Sequence, residues 1–311
     1  MEILQQYQAS DIKIGDLQLS FYRTCRVPEG KLNSLPAGLG NFPIFSVKDF
    51  RSGTPSEWHD EGFFFPMYTQ EAMWVGFNRG YHKEPSALVI GAGNINAITG
   101  KQFDDKGALE VKLQDPQNYL VIPPQPWLDG WKAEDGKIYQ FVAAELGSGE
   151  TVEGQITGKE EVGGIQLIAF SPKPGQNLVP ESRPMEYIVG GSWECFKGTH
   201  PYRRSFAASA RPTSMGLGRG GEISQKIYPD PYGVEVWAEK PAGVEVLYLV
   251  SRADFKQITG HDAPPTPVTY KKYQQLGLPW FEIHDQKKGD TKGSDVFAKL
   301  KPVGEGKKVE K

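Results

Sequence analysis

The segment Pro123-Pro124-Gln125-Pro126-Trp127-Leu128-Asp129-Gly130-Trp131 comes nearest, in residue type and spacing, to a site. Trp127 and Trp131 offer flat apolar faces on which a sugar or other planar ring can stack, and Asp129 between them can accept hydroxyl protons. The competing reading is that both indoles plug the end of a β layer or cover a subunit contact. A second aromatic run, Leu278-Pro279-Trp280-Phe281-Glu282-Ile283-His284, reads as a docking strand for another domain or protomer.

Other reactive residue types do not converge. His59, His261 and His284 each precede an aspartate, but adjacent side chains diverge on strand and helix alike, so a His-Asp dipeptide is no dyad. No HxxxH, HxH or CxxC spacing occurs, and no metal site is expected. An enzyme would have to bring Cys25 to His59 or His200, or another histidine to carboxylates, from separate loops. Cys25 and Cys195 read as two free thiols, because the N-terminus lacks the basic and apolar regions of a secretory leader.

Three glycine-rich stretches invite a phosphate reading. Leu88 to Ala97 runs from an apolar strand into Gly91-Ala92-Gly93, like the opening of a dinucleotide-binding turn. Asn96 stands where a third glycine is needed, turn chemistry follows at Phe103–Gly107, and no βαβ alternation appears. Strand–turn–strand is the expectation, with no cofactor. Gly216-Leu217-Gly218-Arg219-Gly220-Gly221 lacks the Lys-Ser/Thr of a P-loop and reads as a flexible lead into a strand. Gly147-Ser148-Gly149 reads as a hairpin turn without a base for Ser148.

The elements that must carry these residues are strands. Met215 to Ser251 is the clearest stretch: Ile223, Gln225 and Ile227 share one face with period two, as do Val234, Val236 and Ala238, with the turn Pro229-Asp230-Pro231-Tyr232-Gly233 between them. Lys13–Val27, Glu71–Phe77, Ala87–Ile90, Tyr119–Ile122, Tyr139–Leu146, Gly164–Phe170, Glu186–Val189 and Ser205–Ala210 read the same way. Helices are expected only near the C-terminus, at Ser251–Ile258 before Gly260 and at Val268–Leu276 before Gly277. The fold class is therefore mainly β: two packed antiparallel β units of sandwich or barrel type, with one or two short helices near the C-terminus. The expected boundaries are 1–170 for the first unit, 171–184 for a proline-rich linker or crossing loop, 185–285 for the second unit, and 286–311 for a frayed tail in which 296–300 docks locally.

Composition agrees. The chain of 311 residues has 36 glycines and 24 prolines, too many for a helical protein, and its 12% aromatic content argues against disorder. A net charge of −3 gives no electrostatic case for nucleic acid or an anionic membrane. No apolar run approaches a membrane span, and a cytoplasmic protein is expected.

The chain resembles a set of uncharacterised bacterial and fungal proteins of about this length. The resemblance rests on LPAGLGNFPIF (Leu35–Phe45), FPMYTQEAMWVGF (Phe65–Phe77), NAITG (Asn96–Gly100), QPWLDG (Gln125–Gly130), Gln140–Leu167, MGLGRGG with KIYPDPYG, and YQQLGLPWF (Tyr273–Phe281). It covers nearly the whole chain and implies no activity. The residues lead to three functional expectations: first, a non-enzymatic β protein that covers its strand edges by forming a homo-oligomer and serves as a structural or binding module; second, a small-molecule or carbohydrate-binding protein using Trp127, Asp129 and Trp131; third, an enzyme of unspecified reaction.

Overall fold

The computed structural model describes residues 8–77, 84–103, 110–134, 136–181, 186–189, 214–265, 270–283 and 289–304. Its first strands are β1 (Asp11–Ile14), β2 (Leu17–Thr24), β3 (Leu32–Asn33), β4 (Leu35–Pro36), β5 (Phe45–Ser46), β6 (Phe63–Pro66), β7 (Ala72–Phe77), β8 (Ser86–Ala92) and β9 (Ile95–Asn96). There follow β10 (Leu120–Ile122), β11 (Trp127–Leu128), β12 (Gly130–Lys132), β13 (Lys137–Glu145), β14 (Ile165–Phe170), β15 (Glu186–Val189), β16 (Ser214–Ser224), β17 (Gly243–Val250) and β18 (Trp280–Ile283). The protein is mainly β, as its alternation predicts.

Among the described residues, fifteen strands form one sheet whose main path is β1-β2-β7-β13-β16-β17-β14-β8-β10, and β15-β18-β4 form a second. Pairing is antiparallel along the main path. Strands from before and after residues 171–184 interleave: β13 lies beside β16, and β14 beside β17. The sheet is thus continuous across the segment expected to be a linker.

Alternation decides which side chains meet. Leu17, Leu19 and Phe21 of β2, Met73, Val75 and Phe77 of β7, Phe141 and Ala143 of β13, and Leu247 and Leu249 of β17 all enter one main core. Strands β8 and β14 are near-continuous apolar runs because both their faces are covered. Leu88 and Ile90 enter the main core, whereas Ala87 and Val89 pack with Ile168 and Phe170 in a second cluster.

Two glycine-rich stretches take clear structural roles. Gly93 and Asn94, with φ of 57° each, form the tight turn of a hairpin in which Gly91 pairs with Asn96 and Ala92 with Ile95. The Asn96 carboxamide accepts from the Ile98 and Thr99 amides at 2.9 Å and donates to Asn118 O at 2.8 Å, so it organises the next turn. Gly216–Gly221 lies inside β16 and does not lead into it. Between Tyr139/Glu222 and Phe141/Arg219 the register slips, leaving Gly220 and Gly221 opposite Gln140 as a bulge. A Cβ on Gly220 would reach 2.5 Å from Val142, and one on Gly221 2.5 Å from the Pro28 carbonyl.

Among the described residues, α-helix appears once more than expected. The segment α1 (Val152–Thr157) is capped by Thr151, whose Oγ1 accepts from Gly154 N at 2.9 Å, and stopped by Gly158 at φ 78°. The turn Gly147-Ser148-Gly149 therefore leads from β13 into this helix and closes no hairpin; Ser148 is exposed there and accepts from Glu150 N. The expected C-terminal helices are α2 (Arg252–Thr259), with Ser251 and Gly260 as caps, and α3 (Tyr270–Gln275). The alternation at Val234, Val236 and Ala238 makes no strand. A 3-10 turn occupies Val234–Val236, because Asp230 gathers the Tyr232 amide, the Trp237 indole and the Tyr119 hydroxyl into a compact loop. The expected strand at Ser205–Ala210 falls outside the described residues.

Residues 289–304 form a strap: 296–300 docks as expected, but within a longer ordered run where fraying was expected. Phe297 is fully buried against Trp131, with ring centroids 5.2 Å apart. The strap is fastened by Thr291 N to Ile227 O, Ser294 N to Lys132 O and Val303 N to Arg219 O. The Arg219 guanidinium also donates to Leu300 O and lies 4.0 Å over the Tyr139 ring. No helix among the described residues is long and apolar enough to cross a membrane.

Candidate functional site

The structure separates the three residues of the aromatic loop. Strand β11 pairs with β7, placing Trp127 opposite Gly76; after Asp129 the chain changes neighbour, and β12 pairs with β13, placing Trp131 opposite Tyr139. Gly130 permits the crossing, since a Cβ there would overlap the Tyr139 carbonyl. Simple alternation would put Trp127 and Trp131 on one face. The switch instead sends Leu128 and Trp131 together into the main core. Trp131 is fully buried, meets Phe141 edge-on at 5.1 Å and donates from Nε1 to Gly218 O at 3.1 Å. It is a core residue.

Asp129 is also buried. Its Oδ2 accepts from Gln225 Nε2 at 3.0 Å, and its main-chain N–H donates to Gln225 Oε1 at 3.1 Å. Burial pushes its carboxyl up to about 8, against the opposing pull of the hydrogen bond from Gln225.

Trp127 remains half-buried, and its companions come from elsewhere in the chain. Its ring lies 5.9 Å from that of Trp74 on β7, and Trp74 stacks on Tyr22 of β2 at 4.0 Å and 17°. Tyr22 and Trp74 are direct cross-strand partners. Gly76 is what lets these rings lie over the sheet, because a Cβ there would come within 2.6 Å of the Tyr22 ring and 2.9 Å of Trp74. Gly38 approaches the same two rings from the loop after β4. Trp280 and Phe281 of β18 pack with Trp127 around Val27, Leu35, Ile138 and Ile223. The result is a band of half-buried aromatic side chains where the two sheets approach. Trp74 Nε1 has no acceptor among the described residues. Nothing local in the sequence announces Tyr22 and Trp74 as partners of Trp127. The one available signal is a tryptophan and a glycine two apart on β7, a pattern that lets a ring lie along its own strand.

Buried ionic groups elsewhere serve the frame. Arg23 binds Glu71 at 2.7 Å, Glu71 also accepts from Tyr68 N at 2.8 Å, and burial raises the Glu71 carboxyl while Arg23 pulls it back. Lys132, with no exposed side-chain surface, meets Asp290 of the strap at 2.7 Å. Asp290 also accepts from Gly136 N and Ile227 N, and it borders an open cleft of about 430 Å³ with Glu134, Lys226 and Lys292. Glu153 in α1 accepts from the amides of Glu161, Val162 and Gly163, and Glu160, just after the helix, from those of Gly149 and Thr151, so both carboxylates hold a loop.

The histidines contribute no dyad among the described residues. Asp60 beside His59 pairs with Arg51 at 2.8 Å, and Asp262 beside His261 pairs with Lys256 at 3.0 Å. His82, His200, His284 and Cys195 lie outside the described residues. Cys25 is buried, and burial pushes its thiol up to about 12. Among the described residues, no group of three or more His, Cys, Asp or Glu could hold a metal ion. No family model matches the chain, and no curated protein or solved structure matches it significantly.

Proposed function

We propose that the protein is a non-enzymatic β-sheet binding module that holds a sugar or comparable planar small molecule against Tyr22, Trp74 and Trp127. The observation that carries this reading is the stacked Tyr22–Trp74 pair with Trp127 beside it: three half-buried rings from three neighbouring strands. Rings fixed in this way offer broad apolar area at small conformational cost, and a polar tip for orientation. Asp129 supports the band from behind and does not touch the ligand. The test is a fluorescence titration with mono- and oligosaccharides and flat heterocycles. Saturable quenching that disappears in Trp127→Ala, with an unchanged melting temperature, supports the reading. Quenching that survives in Trp127→Ala removes the band from consideration.

A second reading is self-association into a homo-oligomer through the same band. Trp280 and Phe281 extend it, and cores of protein interfaces are enriched in such side chains. Native mass measurement decides: a strict monomer at micromolar concentration counts against it, and a dimer dissociated by Trp127→Ala favours it over the ligand. Either reading suits a bacterial cytoplasmic protein.

A further inference from the structure

The two ends of the row Tyr22–Trp74–Trp127 differ in what lies beside them. Strand β2 has β7 along one edge, with Trp74 opposite Tyr22, and β1 along the other, with Asp11 opposite Ser20 and Lys13 opposite Gln18. Ahead of the start of β1, Asn41 takes the place opposite Tyr22. Period two puts Gln18, Ser20 and Tyr22 on one face of β2, and pairing adds Asp11, Lys13 and Asn41 to the same face. Trp74 covers one side of the Tyr22 ring, so a ligand that stacks on Tyr22 arrives from the β1 side. Tyr22 is half-buried and Asn41 exposed, which leaves that side open.

The polar groups at this end are already fixed. Asp11 accepts from Gln18 Nε2 at 2.9 Å, from Ser10 Oγ at 3.0 Å and from the Ser20 hydroxyl, and the Ser10 carbonyl accepts from Asn41 Nδ2 at 3.3 Å. Each carboxamide is thus tethered through its nitrogen, while its oxygen accepts no hydrogen bond among the described residues. Gln18 is two rows from Tyr22 on the strand, but its carboxamide reaches Asp11 in the row between, about 7 Å from Tyr22. A ring lying on Tyr22 therefore has substituents near both carboxamides. A tethered carboxamide can accept and donate at once, as a sugar hydroxyl requires and a flat heterocycle does not. Asp11 and Lys13 have opposite signs, so this end suits an uncharged ligand. We infer, taking the ring band as the ligand surface, that its Tyr22 end is a saccharide subsite: a pyranose stacks on Tyr22, and Gln18 and Asn41 read its hydroxyls and set the specificity.

The test is calorimetric titration of the full chain with gluco-, manno- and galacto-oligosaccharides, and with quinoline as a flat ligand without hydroxyls. At least one sugar series is expected to bind, with affinity reduced about five- to tenfold in Gln18→Ala and in Asn41→Ala, the worth of one hydrogen bond. Both side chains reach the surface, so melting temperatures stay at the wild-type value and any quinoline binding is untouched. Failure of every sugar to bind, or sugar affinity unchanged in both variants, overturns the subsite. Quinoline binding that is lost in Trp127→Ala then leaves the proposed function standing. Sugar binding that falls in Gln18→Ala and Asn41→Ala yet survives in Trp127→Ala does the reverse, removing the three-ring band and keeping the Tyr22 subsite.

Discussion

Trp127 and Trp131 are the same residue type on one short loop, and their substitutions should part company. Trp131→Ala removes a fully buried indole wedged between Phe141 and Phe297, and is expected to cost about 3–5 kcal/mol in urea denaturation. Trp127→Ala should leave stability near wild type and change only the band. The Lys132–Asp290 pair gives a second residue-scale expectation. Asp290→Ala removes the carboxylate 2.7 Å from a completely buried ammonium and is expected to cost up to about 3–5 kcal/mol. Adding Lys132→Met should recover most of that loss, which a double-mutant cycle by thermal unfolding would show. Asp129 adds a pH dependence of stability. Its folded pKa is raised above the unfolded value, so its contribution is complete below pH ~4 and is lost as pH rises through about 8. Asp129→Asn should flatten the stability profile across that window.

At the scale of elements, buried glutamines tie neighbouring segments together. Gln140 accepts from Val27 N and donates to Cys25 O opposite the β16 bulge; Gln125 accepts from Tyr228 N and donates to Lys226 O; Gln166 accepts from Asn94 N and donates to Gly163 O. A carboxamide has both a donor and an acceptor at one tip, so it can substitute for a missing rung of a β ladder. Helix α1 relies on carboxylates for the same purpose. Burial pushes the Glu160 carboxyl upward, but hydrogen bonds from Thr151, Gly149 and Gly147 outweigh it, and the net shift is downward. Its stabilisation is therefore present above the ordinary carboxylate range and fades as pH falls through the lowered value. Glu160→Gln should destabilise the protein at pH 7 and converge with wild type in acid, as read by melting temperature. The strand and helix positions were legible because alternation, caps and Gly-Asn turns act within a few residues. The missed helix α1 had the Thr151 and Gly158 caps in plain view, but it is too short for periodicity to declare itself.

On the scale of the whole molecule, the strap at 289–304 closes the main core from outside the sheet. Phe297 and Val303 are buried, and Arg219, Gln155 and Glu150 hold its backbone. A chain ending at residue 288 would expose Trp131 and lose the Asp290 carboxylate together. It is expected to unfold at markedly lower urea concentration or to aggregate, and a truncated protein as stable as the full chain would show the strap to be decoration. A frayed tail was the natural reading of a lysine- and glycine-rich stretch. Its few apolar residues matter only because the sheet offers them a site.

The sequence by itself determined the β class, most strand positions, the Gly93-Asn94 hairpin and the caps of α2, since each depends on dihedral preference or period-two exposure over a few neighbouring residues. It did not determine that Tyr22, Trp74 and Trp127 lie together, that Trp131 belongs to the core, or that Lys132 waits for Asp290. Those outcomes depend on which strand lies beside which, and that choice is set by how well all the apolar faces close against one another at once. Only the assembled sheet contains that information.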